Sequence, residues 1–103
     1  MGIYKIKSIV HSGTKGARGI PRTDGRYPLR IGRTVTLDLE HITVGMPIIL
    51  EYVKDENGND YSSYCLRCSI IQGIHFVGDK VGCIETNNTI YEFEKESKET
   101  DNE

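Results

Sequence analysis

Residues 13–33, GTKGARGIPRTDGRYPLRIGR, place Lys15, Arg18, Arg22, Arg26, Arg30 and Arg33 three or four positions apart. In a helix that spacing would gather the positive charge on one face. The reading of this stretch decides the fold class, because no segment of the chain sustains an apolar 3.6-residue period free of Gly or Pro. Gly16, Gly19 and Gly25 would each cost ~1 kcal/mol in a helix interior and Pro21 and Pro28 ~3 each, about 9 kcal/mol together. Charge patterning does not offset that. Residues 12–28 therefore read as an extended glycine-rich loop between two strands, with Arg30 and Arg33 carrying its charge onto the second strand. A loop of this length is uncommon unless it is functional or disordered.

Outward from the loop, two-residue alternation dominates, filled by β-branched and aromatic residues. In the first strand Tyr4, Ile6, Ser8 and Val10 share a face. A long second strand sets Leu29, Ile31, Val35, Leu37 and Leu39 on one face, interrupted by Arg33. PIILEYVK leads into DENGND, where Asn57-Gly58 offers the positive φ angles of a tight hairpin turn. YSSYCLRCSIIQGIHF holds the fourth strand, with Gly73 marking a bulge or bend. VGDK turns the chain into VGCIET, and Asn87-Asn88 favours a second tight turn with φ above zero before TIYEFE. Strands joined by short turns at intervals of about ten residues predict an all-β domain of about six strands, a small antiparallel barrel or sandwich, SH3-like or OB-like. The domain is expected to span residues 1–94, and the polar residues 95–103, KESKETDNE, to form a disordered acidic tail.

The net charge of −2 conceals a division. Residues 1–33 hold eight Lys or Arg against Asp24 alone, a balance of +7, and the remainder of the chain carries −9. Such asymmetry means either an anionic partner or two halves that face each other in the fold. Residues 92–103 carry −4 and are expected to compete for the basic loop as a tethered polyanion. No apolar run approaches the ~18 residues of a membrane span, and MGIYKIKSIV alternates where a signal peptide needs an unbroken apolar run. With three cysteines, an odd number, a cytoplasmic protein without a membrane partner is expected.

Glycines let a backbone approach a phosphate closely, and arginines hold it with a planar fork of donors. The loop is not a P-loop, which needs GxxxxGK[ST] before a helix. Dispersed charges suit sugar-phosphate contact better. Lys15, Arg18, Arg22, Arg26, Tyr27, Arg30 and Arg33 are thus the candidate residues for binding nucleic acid or another polyanion. The competing reading pairs these arginines with the protein's own carboxylates. Tyr27 suits a proline-ordered turn better than base stacking, and Tyr61 and Tyr64, flanking the hairpin, are the next stacking candidates. Since a glycine-rich loop adds little core, alanine at Arg18, Arg22 and Arg26 together is expected to leave folding intact.

Cys65, Cys68 and Cys83 with one of His11, His41 or His75 are the right types for zinc. Cysteines three apart on a strand point to opposite faces, however, so no metal site and no cofactor are expected. No Ser, His and carboxylate form a recognisable triad, so no enzymatic role is expected. A non-enzymatic nucleic-acid or polyanion binder is the first expectation. A protein-interaction or inhibitor module using the same loop and exposed strand edges, possibly as a homo-oligomer, is the alternative.

Overall fold

In the computed structural model, which describes residues 2–14 and 16–96, the alternation resolves into seven strands. They are β1 (Gly2–His11), β2 (Thr34–Leu37), β3 (Ile48–Lys54), β4 (Cys65–Cys68), β5 (Ile71–Val77), β6 (Lys80–Thr86) and β7 (Thr89–Lys95). All pairings are antiparallel, in one sheet of order β4-β3-β2-β1-β7-β6-β5. Helix among the described residues is confined to one turn, α1 (Tyr27–Arg30), and a 3-10 turn at Leu39–His41. None is long and apolar enough to cross a membrane. The all-β expectation holds. The barrel or sandwich does not, because the outer strands β4 and β5 do not pair and the sheet stays open.

One sheet buries a core only by curling its inner face onto itself, and the contacts show that it does. Tyr4, Ile6 and Ile9 from β1, Val35 and Leu37 from β2, and Tyr91 and Phe93 from β7 are all buried, and they join one cluster with residues of the four other strands. The buried Tyr4 hydroxyl accepts the Val81 N–H at 3.2 Å, reaching from β1 past β7 to β6. Cys68 of β4 faces Tyr91 of β7, and burial pushes its thiol up to about 11. Near the two free edges Ile71 clasps the segment before β3: the Gly45 N–H donates to the Ile71 carbonyl at 2.8 Å and the Ile71 N–H to that of Met46 at 2.9 Å.

Several local expectations are corrected. The β1 register shifts between Ile6 and Ser8, so beyond the bulge Ile9 points inward and Val10 does not. The long second strand shrinks to Thr34–Leu37: Pro28 favours a helical first turn, Leu29 lies exposed in α1, and Ile31 is exposed as well. The fourth strand is two, β4 and β5, parted by Ser69-Ile70. Gly73 does sit at a register shift. Asn57-Gly58 is not a two-residue hairpin turn; only Gly58 has positive φ, at 86°, and the Asp55 carboxylate accepts the Asn57 and Asn59 N–H groups in a longer loop. Asn87-Asn88 turns without positive φ. β7 runs to Lys95, and the Glu96 N–H donates to the Ile3 carbonyl, so the ordered domain passes the expected boundary at 94. The rest of the expected tail, 97–103, lies outside the described residues.

The glycine-rich loop is docked rather than free. The His11 N–H donates to Ile20, the Gly19 N–H to His11, and the Arg22 N–H to Ile9, at 2.9–3.0 Å. Ser12 and Thr14 hydroxyls tie it to the β6–β7 turn at Asn87 and Asn88. Gly16 makes this possible: a Cβ there would lie 2.8 Å from three atoms of the His11 ring. Gly16→Ala should therefore cost about 1–3 kcal/mol in urea unfolding through overpacking. In a His11→Ala background most of that cost should vanish, and an equal cost in both backgrounds would show that the ring contact is not its cause.

Candidate functional site

The basic residues divide according to what the fold sets beside them. Arg18 forks onto Glu85 of β6 with two hydrogen bonds, 2.8 and 2.9 Å, and also donates to the Ser12 carbonyl. Arg22 is buried: it pairs with Asp24, donates to the Thr89 hydroxyl at 2.8 Å, and lies 4.0 Å over the Tyr27 ring. Arg33 donates from Nε to Glu56 at 3.0 Å and packs over Tyr52 and Tyr61. Arg30 sits 4.7 Å over Tyr27, and neither it nor Arg26 meets a carboxylate among the described residues. Lys15 lies outside them. The six described candidates thus do not form one patch. Tyr27 is half-buried against the core and carries two of the protein's own guanidiniums.

What the fold does assemble is a cleft of about 350 Å³ where the α1 segment lies over the β3–β4 connection. Arg26, Arg30 and Arg33 line it from the loop and Tyr61, Tyr64 and Arg67 from the β3–β4 connection and β4, with the buried Tyr52 and Leu66, and among the described residues no carboxylate lines it. Two backbone bonds, Ile6 N–H to Arg33 carbonyl and Gly32 N–H to Ile6 carbonyl, both 2.8 Å, fix the approach of the loop to β1. The β3–β4 connection is held by Tyr61 N–H to Val53 carbonyl and Tyr52 N–H to Tyr64 carbonyl. Tyr61 and Tyr64 stack with centroids 4.6 Å apart, and Tyr52 meets Tyr61 edge-on. Four guanidiniums around one concavity focus a positive potential into it. Burial raises the Tyr52 phenol above its ordinary range, so it stays neutral in neutral solution and adds no opposing charge.

Arg67 was not singled out in the sequence. In the short strand CLRC it reads as an outward residue, and nothing local says that the 26–33 segment lies beside it. Tyr61 and Tyr64 were legible as aromatics flanking the hairpin. Cys65 borders the same cleft, while Cys68 points inward, as opposite strand faces require. Compared with protein-family models, curated proteins and solved structures, the chain finds no match. The reading therefore rests on the site's own geometry.

Arg22 is buried and bonded across to Thr89 of β7, against the premise that the loop adds little to the core, so alanine at Arg18, Arg22 and Arg26 together is expected to lower stability. Arg22→Ala alone strands the buried Thr89 hydroxyl and should cost about 1–3 kcal/mol in urea unfolding. The ion pairs also set an acid limit. Hydrogen bonds from Arg18 and Arg22 hold the Glu85 and Asp24 carboxyls below their ordinary 4.5 and 3.8. Their stabilisation is complete above those values and is lost as pH falls through the lowered folded-state values. The urea midpoint should decline below about pH 4.5, and less steeply in a Glu85→Gln, Asp24→Asn variant. An unchanged pH dependence in that variant would remove these pairs as the cause.

Proposed function

We propose that the protein is a non-enzymatic binding module whose arginine–tyrosine cleft holds a phosphate-rich ligand, with nucleic acid the best fit. One observation carries the reading: four guanidiniums and two stacked tyrosines line one cleft, with no carboxylate of the described residues among them. Elsewhere in the chain Arg18 and Arg22 each carry a carboxylate partner, as does Arg33 outside this cleft. The unspent charge of Arg26, Arg30 and Arg67 is therefore concentrated where an anion can enter. Guanidinium forks suit phosphate oxygens, and aromatic rings suit bases. A cytoplasmic setting belongs to the same reading, since three free thiols suit a reducing compartment.

A second reading has its own observation. The edge strand β5 leaves Phe76 and Val77 exposed beside an unpaired backbone edge, a template for pairing with a second copy. Size-exclusion chromatography with light scattering should give a dimer if that edge is used, and a monomer at all concentrations would dismiss it.

Fluorescence anisotropy with a labelled single-stranded DNA oligonucleotide tests the first reading. If the three unpaired arginines each neutralise a phosphate, log K should fall against log salt with a slope near −2, roughly 20-fold weaker binding between about 50 and 200 mM salt. Arg26→Ala with Arg67→Ala should flatten the slope to about −0.7. Absence of binding at the lower salt would reject this function.

A further inference from the structure

We propose that the cleft takes single-stranded rather than duplex nucleic acid, with one unpaired base stacked on Tyr64 while Arg26, Arg30 and Arg67 hold the neighbouring phosphates. The proposal rests on the phosphate-binding reading above and deepens it. Tyr64 differs from the other aromatics at this end of the molecule. Tyr27 is engaged by Arg22 and Arg30, and Tyr52 is buried. Tyr61 is held between neighbours: Arg33 lies 4.8 Å over it, Tyr52 meets it edge-on at 5.1 Å, and Tyr64 stacks on it at 4.6 Å with 28° between the planes. Tyr64 ends that stack and is 60% exposed.

It is also fixed in place before any ligand arrives. Its carbonyl accepts the Tyr52 N–H of β3 and its own N–H donates to the Tyr61 carbonyl in the same connection, each at 3.1 Å, so the backbone that carries the ring is tied to β3 on one side and to Tyr61 on the other. A platform ordered in advance spares binding the cost of ordering it. An exposed aromatic face at the end of a rigid stack, rimmed by arginines, offers a nucleobase what a neighbouring base offers in a strand. In a duplex every base face except those of the two end pairs is already covered by its neighbours and cannot reach Tyr64. A cleft of about 350 Å³ also matches one splayed nucleotide rather than a double helix.

Anisotropy with the full chain and three labelled probes of equal length separates the possibilities: oligothymidylate, an abasic strand carrying the same phosphates without bases, and a duplex. Oligothymidylate should bind about 5- to 100-fold tighter than the abasic strand and tighter than the duplex. Tyr64→Ala should erase that advantage, bringing oligothymidylate affinity down to that of the abasic strand, and Tyr64→Phe should preserve it, with circular dichroism confirming that both variants are folded. Equal affinity for the thymidylate and abasic strands, or tighter binding to the duplex, overturns base stacking and leaves the phosphate-binding reading standing. No binding to any probe at low salt overturns both.

Discussion

Two residues, Ser69 and Ile70, carry the chain from one edge of the sheet to the other, and the rest of the structure follows from that constraint. Three Cα–Cα steps span at most ~11 Å, so β4 and β5 must come together at that corner although five strands lie between them in the sheet order. A flat seven-stranded sheet cannot satisfy this. The sheet curls, its inner face closes on itself, and a chain with no second layer obtains a core that runs from Tyr4 to Phe93. The Ile71 clasp on Gly45 and Met46 fixes the corner without completing a barrel.

The same curl distributes the charge. Folding places β6 and β7 against the start of the glycine-rich loop, where Arg18 finds Glu85 and Arg22 finds Thr89, while the carboxylate partner of Arg22 is Asp24 of the loop itself. Part of the opposition between a +7 segment and a −9 remainder is thus settled within the molecule. At the other end of the loop the neighbour is the β3–β4 connection, which brings Tyr61, Tyr64 and Arg67. Glu56 answers Arg33 only. Surface ion pairs contribute little to stability, so the functional weight lies in which arginines the fold leaves without one.

Much of the fold was legible because strand periodicity is a local signal. β3 and β7 follow the alternation closely, and Gly73 marked its own irregularity. The misreadings share a cause. The bulge at Lys7 reverses the phase of β1 with no glycine to announce it, and a corner at Ser69-Ile70 looks like continued strand because both residues fit an alternating run. Leu29 and Ile31 matched the pattern of β2 but are exposed, because Pro28 starts a helical turn before that strand begins. For the site, local reading found arginines and tyrosines but could not find their partners. Arg18 and Glu85 are 67 residues apart, and Arg67 joins the cleft only through the sheet order.

The central claim is that anions meet the Arg26–Arg67 cleft and not the basic loop at large. Backbone amide chemical-shift mapping during titration of the full chain with oligothymidylate tests it most directly. The changes should cluster at Arg26, Arg30, Tyr61, Tyr64 and Arg67 and leave Arg18 and Arg22 undisturbed. Changes centred on Gly13–Arg22, or along the exposed edge of β5 with the cleft silent, would contradict it.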